Sequence, residues 1–146
     1  MPGSNWGLTN ILLVEDNPGD VRLMREALRN NGTQKHLDVV DDGEQALEFL
    51  RRDGRFADAH RPDLIFLDLN LPRVDGREVL AAIKSSEALR QIPVIVLTTS
   101  ESDRDVQQAY QLHANCYVRK PADLDEYMQV IQACEAFWFH VARLPK

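Results

Sequence analysis

Three short apolar runs, each closing on an acidic or hydroxyl residue, constrain this chain more than any other feature of its sequence. Ile11-Leu12-Leu13-Val14 ends in Glu15-Asp16, Leu64-Ile65-Phe66-Leu67 ends in Asp68, and Ile92-Pro93-Val94-Ile95-Val96-Leu97 ends in Thr98. Continuous apolar runs of this length, without polar alternation, read as strands buried on both faces, and such strands belong to parallel sheets covered by helices. The segments between them carry helical spacing. Val21, Met24, Ala27 and Leu28 share one face before Asn30-Asn31-Gly32, with Asn17-Pro18-Gly19-Asp20 as the punctuation ahead of them. Ala46, Leu47 and Leu50 mark a second helix up to about Arg52, after a weaker strand from Leu37 to Val40 and an Asp41-Asp42-Gly43 turn. A loop runs from Asp53 to Pro62. Asp75-Gly76 opens a third helix on Val79, Leu80 and Ile83, and Val106, Ala109 and Tyr110 mark a polar fourth. Cys116-Tyr117-Val118 forms a short fifth strand, and a last helix begins near Asp123. The alternation predicts an α/β fold, a doubly wound parallel sheet of five strands with five helices, in which ligands bind beyond the carboxyl ends of the strands.

At 146 residues the chain has room for one such domain. Its formal charge of −6 argues against binding nucleic acid through a basic surface. No stretch approaches the roughly 18 apolar residues of a membrane span, and the first residues carry neither the basic nor the apolar part of a secretion signal. Cys116 and Cys134 are too few for a disulfide framework and match no zinc spacing. The expectation is a soluble, cytoplasmic protein with reduced thiols.

The chemistry collects at the strand ends. Glu15 and Asp16, Asp68, Thr98 and Lys120-Pro121 all converge on one crevice in a doubly wound sheet. Three carboxylates packed together repel one another and call for a cation, and a set of oxygen ligands alone selects Mg²⁺ over zinc or copper. Lys120 and Thr98 supply a positive charge and a hydroxyl donor for the oxygens of a transferring phosphoryl group. Asp68, on the central strand, is the nucleophile candidate, since a carboxylate can form an acyl phosphate. Taken singly, each of these residues reads as well as a turn cap, a strand-end hydroxyl or a solvated charge.

In this chain order the set resembles the CheY-like receiver domain of two-component response regulators, over about residues 10 to 134. The matching strings are Glu15-Asp16 after ILLV, Asp68 in LIFLDLNLPRVDG, Thr98 in VIVLTTS and Lys120-Pro121 in CYVRKP. The resemblance implies a flavodoxin-like strand order of 2-1-3-4-5 and a phosphoacceptor at Asp68 supplied by a histidine kinase. It also implies Mg²⁺ held by Asp16, Asp68 and the backbone carbonyl of Asn70, with Glu15 acting through a water. By the same resemblance Thr98 moves toward the phosphoryl group and Tyr117 swings inward, altering the face made by helix four, strand five and helix five. Ser100 stands where the family tunes acyl-phosphate lifetime, and Lys120-Pro121 is expected to be a cis peptide.

A narrower resemblance rests on ILLVEDNPGDVRLMREAL, LTTSESDRDV, YQLHANCYVRKP and FWFHVARLP. These look like the small single-domain regulators associated with bacterial and cyanobacterial phytochrome histidine kinases. The carboxyl-terminal stretch has a physical argument of its own. Leu124, Tyr127, Met128, Ile131 and Cys134 form one apolar stripe that Phe137, Trp138 and Val141 continue, on a single helix expected from Asp123 to His140. Consecutive aromatics expose apolar surface on more than one side, which marks an association surface. The expected organisation is therefore an amino-terminal tail (1–10), a receiver domain (11–134) and a helical arm (135–146). Phe137, Trp138, Phe139, Val141 and Leu144 of that arm are expected to form a homodimer seam, with an arm folded back on its own domain as the alternative.

No output module is visible, so the chain is expected to be a phosphoacceptor switch and not an enzyme, its output carried by a protein partner or by onward phosphotransfer. His36, His60, His113 and His140, which share no motif, read as structural or surface residues. Two other classes compete: a Mg²⁺-dependent aspartyl-phosphate phosphohydrolase and a constitutive interaction module. The first wants a second Asp two residues past the nucleophile, where this chain has Asn70. Against the second stands the intact set of Glu15, Asp16, Asp68, Thr98 and Lys120.

Overall fold

The structure, a computed structural model, describes residues 8–29 and 34–145. Met1 to Gly7 of the expected tail and the whole Asn30-Asn31-Gly32 stop signal lie outside the described residues. The strands are β1 (Thr9–Val14), β2 (Lys35–Val40), β3 (Leu64–Leu67), β4 (Val94–Thr98) and β5 (Cys116–Arg119). The helices are α1 (Pro18–Ala27), α2 (Gly43–Arg51), α3 (Gly76–Ser85), α4 (Asp103–Gln111) and α5 (Leu124–Glu135). All strand pairs are parallel, in the order β2-β1-β3-β4-β5. This is the doubly wound sheet that the apolar runs require.

Because side chains alternate across a strand, each central strand feeds two cores. Leu12, Val14, Ile65, Leu67, Val94 and Val96 face Phe49, Val79, Ile83 and Ala109 of α2, α3 and α4. On the other side Ile11, Leu13, Leu64, Phe66, Ile95 and Leu97 meet Met24 and Ala27 of α1 and Tyr127 and Ile131 of α5. Cys116 and Cys134 are free thiols packed on this second layer, and burial raises both above the ordinary thiol value, so neither is an activated nucleophile.

Several boundaries differ from the sequence reading for local reasons. α1 begins at Pro18, not Val21, because the Asn17 side chain accepts from the Gly19 and Asp20 amides and proline suits the first helical turn. β4 begins after Pro93, which has no N–H to give the ladder. The loop from Asp53 to Pro62 contains a 3₁₀ turn at Gly54–Phe56.

The last helix also differs. α5 passes into a π-helical segment, Ala136–Val141, so the expected run to His140 is helical but wound in two registers. Trp138, Phe139 and Leu144 pack on the second core of their own domain, while Phe137 and Val141 remain 50% and 72% exposed. The arm therefore folds back in part, with two of its aromatic rings packed on the sheet layer and the third left outside.

Candidate functional site

The carboxyl ends of β1, β3, β4 and β5 bring together the residues picked out from the sequence. Ligand oxygens of Glu15, Asp16 and Asp68 lie within 4.8 Å of one another, Asp16 exposed and the other two buried. Opposite them, the Lys120 ammonium bonds Glu15 Oε1 at 2.5 Å, Asp20 Oδ2 at 3.0 Å and Asp68 Oδ2 at 3.1 Å. Lys120 reaches this point because its own amide donates to the Thr98 carbonyl at 2.7 Å, which fixes the end of β5 against the end of β4.

Asp68 is held from two sides. Its Oδ1 accepts from the Asn70 amide at 3.0 Å and its Oδ2 from Lys120. Its own amide donates to the Val14 carbonyl at 3.1 Å, the step that places the β3 end beside Glu15. Behind it, α3 starts in direct contact: a Cβ built on Gly76 would stand 2.3 Å from the Asp68 carbonyl oxygen, so only glycine lets the helix abut the strand this closely. Thr98 is fully buried, and its Oγ1 accepts from Asn70 Nδ2 and from the Ser100 amide, each at a long 3.5 Å. Tyr117 lies inward, packed against the first core, with its hydroxyl donating to the Ser100 carbonyl at 2.9 Å.

One expectation is overturned. Lys120-Pro121 is not cis, since the described residues contain no cis peptide bond. Trans is the lower-energy form of an X-Pro bond by about 0.5–1 kcal/mol. The flexible lysine stem reaches all three carboxylates from it. Conversely, the sequence reading did not single out Asp20. The signal was present, an acid in the first turn of α1 four positions past Asp16, but an acid there reads equally well as a helix-dipole partner.

The electrostatics follow from burial. Burial works against the Lys120 charge, yet the Glu15 hydrogen bond and the Asp68 and Glu15 charges more than compensate, and the ammonium is held charged. Glu15 is pushed up to about 7, chiefly by burial and further by Asp68, against the pull of Lys120. The donors are oxygens and the cluster carries more negative than positive charge, which fits a hard divalent cation. The sign of the resulting pH dependence is fixed. A carboxyl whose folded pKa is raised contributes stability below its unfolded value of 4.5, and that contribution is lost as pH rises through about 7. Cation binding needs the ionised form, so affinity for a divalent metal, measured calorimetrically, is expected to fall about tenfold from pH 8 to pH 6. Glu15→Gln should flatten that slope, and an equal slope in the variant would assign the proton elsewhere.

The family described as the response regulator receiver domain matches residues 11–132. Response regulator Rcp1 of Synechocystis sp. is 46% identical over 135 residues, spanning 92% of each chain. Among solved structures, the phosphorylated cyanobacterial phytochrome response regulator RcpA matches with a TM-score of 0.92 at 49% identity, over 94% of this chain and 99% of that one. The Mn²⁺-bound form of Rcp1 matches with a TM-score of 0.92 at 45% identity and the same coverage.

Proposed function

The chain belongs to the family of response regulator receiver domains, and on that premise we propose that Asp68 accepts a phosphoryl group from the phosphohistidine of a sensor histidine kinase. Its relatives include phytochrome response regulators from cyanobacteria and a bacteriophytochrome response regulator, and the kinase partner is accordingly of the phytochrome type, in the cytoplasm. The observation that carries the reading is the convergence of Glu15, Asp16 and Asp68 within 4.8 Å, with the Lys120 ammonium 3.1 Å from the acceptor carboxylate.

In the transfer, an Asp68 carboxylate oxygen attacks the phosphorus in line, the P–N bond breaks, and its electron pair leaves with the imidazole. Lys120 stands ready to exchange one carboxylate contact for a phosphoryl oxygen, and the Thr98 hydroxyl, held only by long hydrogen bonds, is free to turn toward another. Asp16, Asp68 and the Asn70 backbone carbonyl would hold Mg²⁺ directly, with Glu15 acting through water. Bound there, the cation supplies the charge that lets phosphoryl oxygens enter a carboxylate-lined pocket. Nothing in this set provides a second carboxylate two residues past Asp68 to act as general acid, so the chain is a switch whose output is the face made by α4, β5 and α5. Incubation of the protein with acetyl phosphate should add one phosphoryl group, by intact mass, with Mg²⁺ present and none with the metal chelated. No mass gain in either case, even with a kinase supplied, would favour the constitutive interaction module.

The arm, residues 135–146, is the second element of the proposal: a homodimer seam that uses the exposed Phe137 and Val141. Deleting residues 137–146 also strips Trp138, Phe139 and Leu144 from the core, so the cleaner variant is Phe137→Ser with Val141→Ser. Light scattering should then report monomer where the parent chain gives a dimer. A dimer that survives both changes would place the seam elsewhere.

A further inference from the structure

The loop between β4 and α4, which carries Ser100 and follows Thr98, is tied down from a helix outside the phosphoryl site. Arg77 lies in the first turn of α3, with its side chain partly buried. Its Nη2 bonds Asp105 Oδ1 at 2.9 Å, its Nε bonds Gln108 Oε1 at 3.1 Å, and its Nη1 lies 3.2 and 3.3 Å from the two oxygens of Asp75. One guanidinium therefore spans the cap of α3 and the first two turns of α4, a geometry that a single ammonium could not satisfy.

The chain of contacts continues inward. The other Asp105 oxygen accepts from Ser100 Oγ at 2.6 Å, and the Ser100 carbonyl receives the Tyr117 hydroxyl at 2.9 Å. The Ser100 amide in turn points to Thr98 Oγ1, and the Tyr117 amide donates to the Tyr110 hydroxyl of α4 at 3.1 Å. The hydrogen bonds from Ser100 and Arg77 hold the Asp105 carboxyl below its ordinary value, so the contact is ionic at neutral pH. Asp105 does not need Arg77 to serve α4, because an acid in a first helical turn is already favoured by the helix dipole. What Arg77 adds is position: it fixes the Asp105 oxygen that holds Ser100.

We infer that Arg77 is a positioning residue for the switch, acting through Asp105 and Ser100 to hold the carbonyl that receives Tyr117 and so favouring the inward arrangement. The inference rests on the phosphoacceptor reading, in which Thr98 and Tyr117 respond to the phosphoryl group. Two sites that bias one arrangement are coupled, and the coupling is reciprocal. Loss of the Arg77 contact must therefore weaken the binding of a phosphoryl mimic at Asp68, which Arg77 does not touch.

The test titrates beryllofluoride with Mg²⁺ into the full chain and follows the Tyr117 ring by NMR, for the parent, Arg77→Gln, Asp105→Asn and the double variant. The expected result is a mimic midpoint about fivefold weaker in each single variant, with the Tyr117 signal moved toward that of a solvent-exposed ring. The double variant should be no worse than either single one, because all three remove the same contact. Arg77→Lys, able to meet one carboxylate at a time, should recover part of the loss. Unchanged midpoints and ring signals, with only a lower melting temperature, would make the pair a plain structural contact and overturn the inference. Failure of the parent chain itself to bind the mimic, or to gain mass from acetyl phosphate, would remove the phosphoacceptor reading and the Arg77 inference together.

Discussion

Asp68→Asn takes up no phosphoryl group from acetyl phosphate or from a kinase, a loss of at least about a hundredfold in a rate followed by intact mass. The amide keeps the shape of the site and still offers Oδ1 to the Asn70 amide, but it is not a nucleophile at neutral pH. No neighbour can take over. Glu15 is buried with one oxygen on Lys120 and the other on the Asn17 amide, and Asp16 stands on the exposed rim. The variant should nonetheless fold. Lys120 retains Glu15 and Asp20, so the thermal change should correspond to about 1 kcal/mol or less. Removing the Asp68 charge also lifts one of the influences that raise Glu15, so Glu15 should titrate at a lower pH in the variant, while divalent-metal binding weakens at every pH because one of its carboxylate ligands is gone. Phosphoryl uptake at full rate by the variant would put the acceptor on another residue and undo the reading of the site.

The parts of this molecule that were legible in its sequence are those with a local signal. Strands buried on both faces have to be apolar throughout, so ILLV, LIFL and VIVL announce a parallel sheet, and topology then brings Glu15, Asp16, Asp68, Thr98 and Lys120 to one edge. Features that depend on partners distant in the chain were not legible. Arg77 and Asp105 are 28 positions apart, and each alone reads as a solvated helix charge. Lys84, whose ammonium is shared by the Arg90 and Ile92 carbonyls and Asn115 Oδ1, looks in sequence like any lysine in a last helical turn. The π winding after Glu135 is a change of hydrogen-bond register, and apolar spacing cannot distinguish it from continued α-helix. Lys120-Pro121 shows the limit of resemblance: the lysine is where the family places it, by a trans bond and not a cis one.

Glu135→Ala should lower the melting temperature by about 10 °C, which makes it the largest single stability effect expected outside the apolar core. Glu135 closes α5, and its Oε2 lies 2.8 Å from the Lys35 ammonium at the start of β2, with the two side chains only 4% and 6% exposed. Lys35 also lies 5.9 Å from the centroid of the Phe139 ring, so the pair and the arm meet at one point. Truncating the acid leaves a buried ammonium without its carboxylate, and breaking a buried pair in this way costs about 3–5 kcal/mol. Replacing both charges with apolar groups should be far milder, because it also removes the burden of keeping them out of water. Lys35→Met with Glu135→Leu should therefore melt close to the parent. The contrast between the two variants separates charge from packing. If the single variant is destabilised and the double one recovers, the loss in Glu135→Ala is the cost of a buried charge left without its counter-charge, and the arm keeps its place by apolar packing that the double variant retains. If Glu135→Ala melts within about 2 °C of the parent, the pair contributes little and the arm is held by Trp138, Phe139 and Leu144 alone.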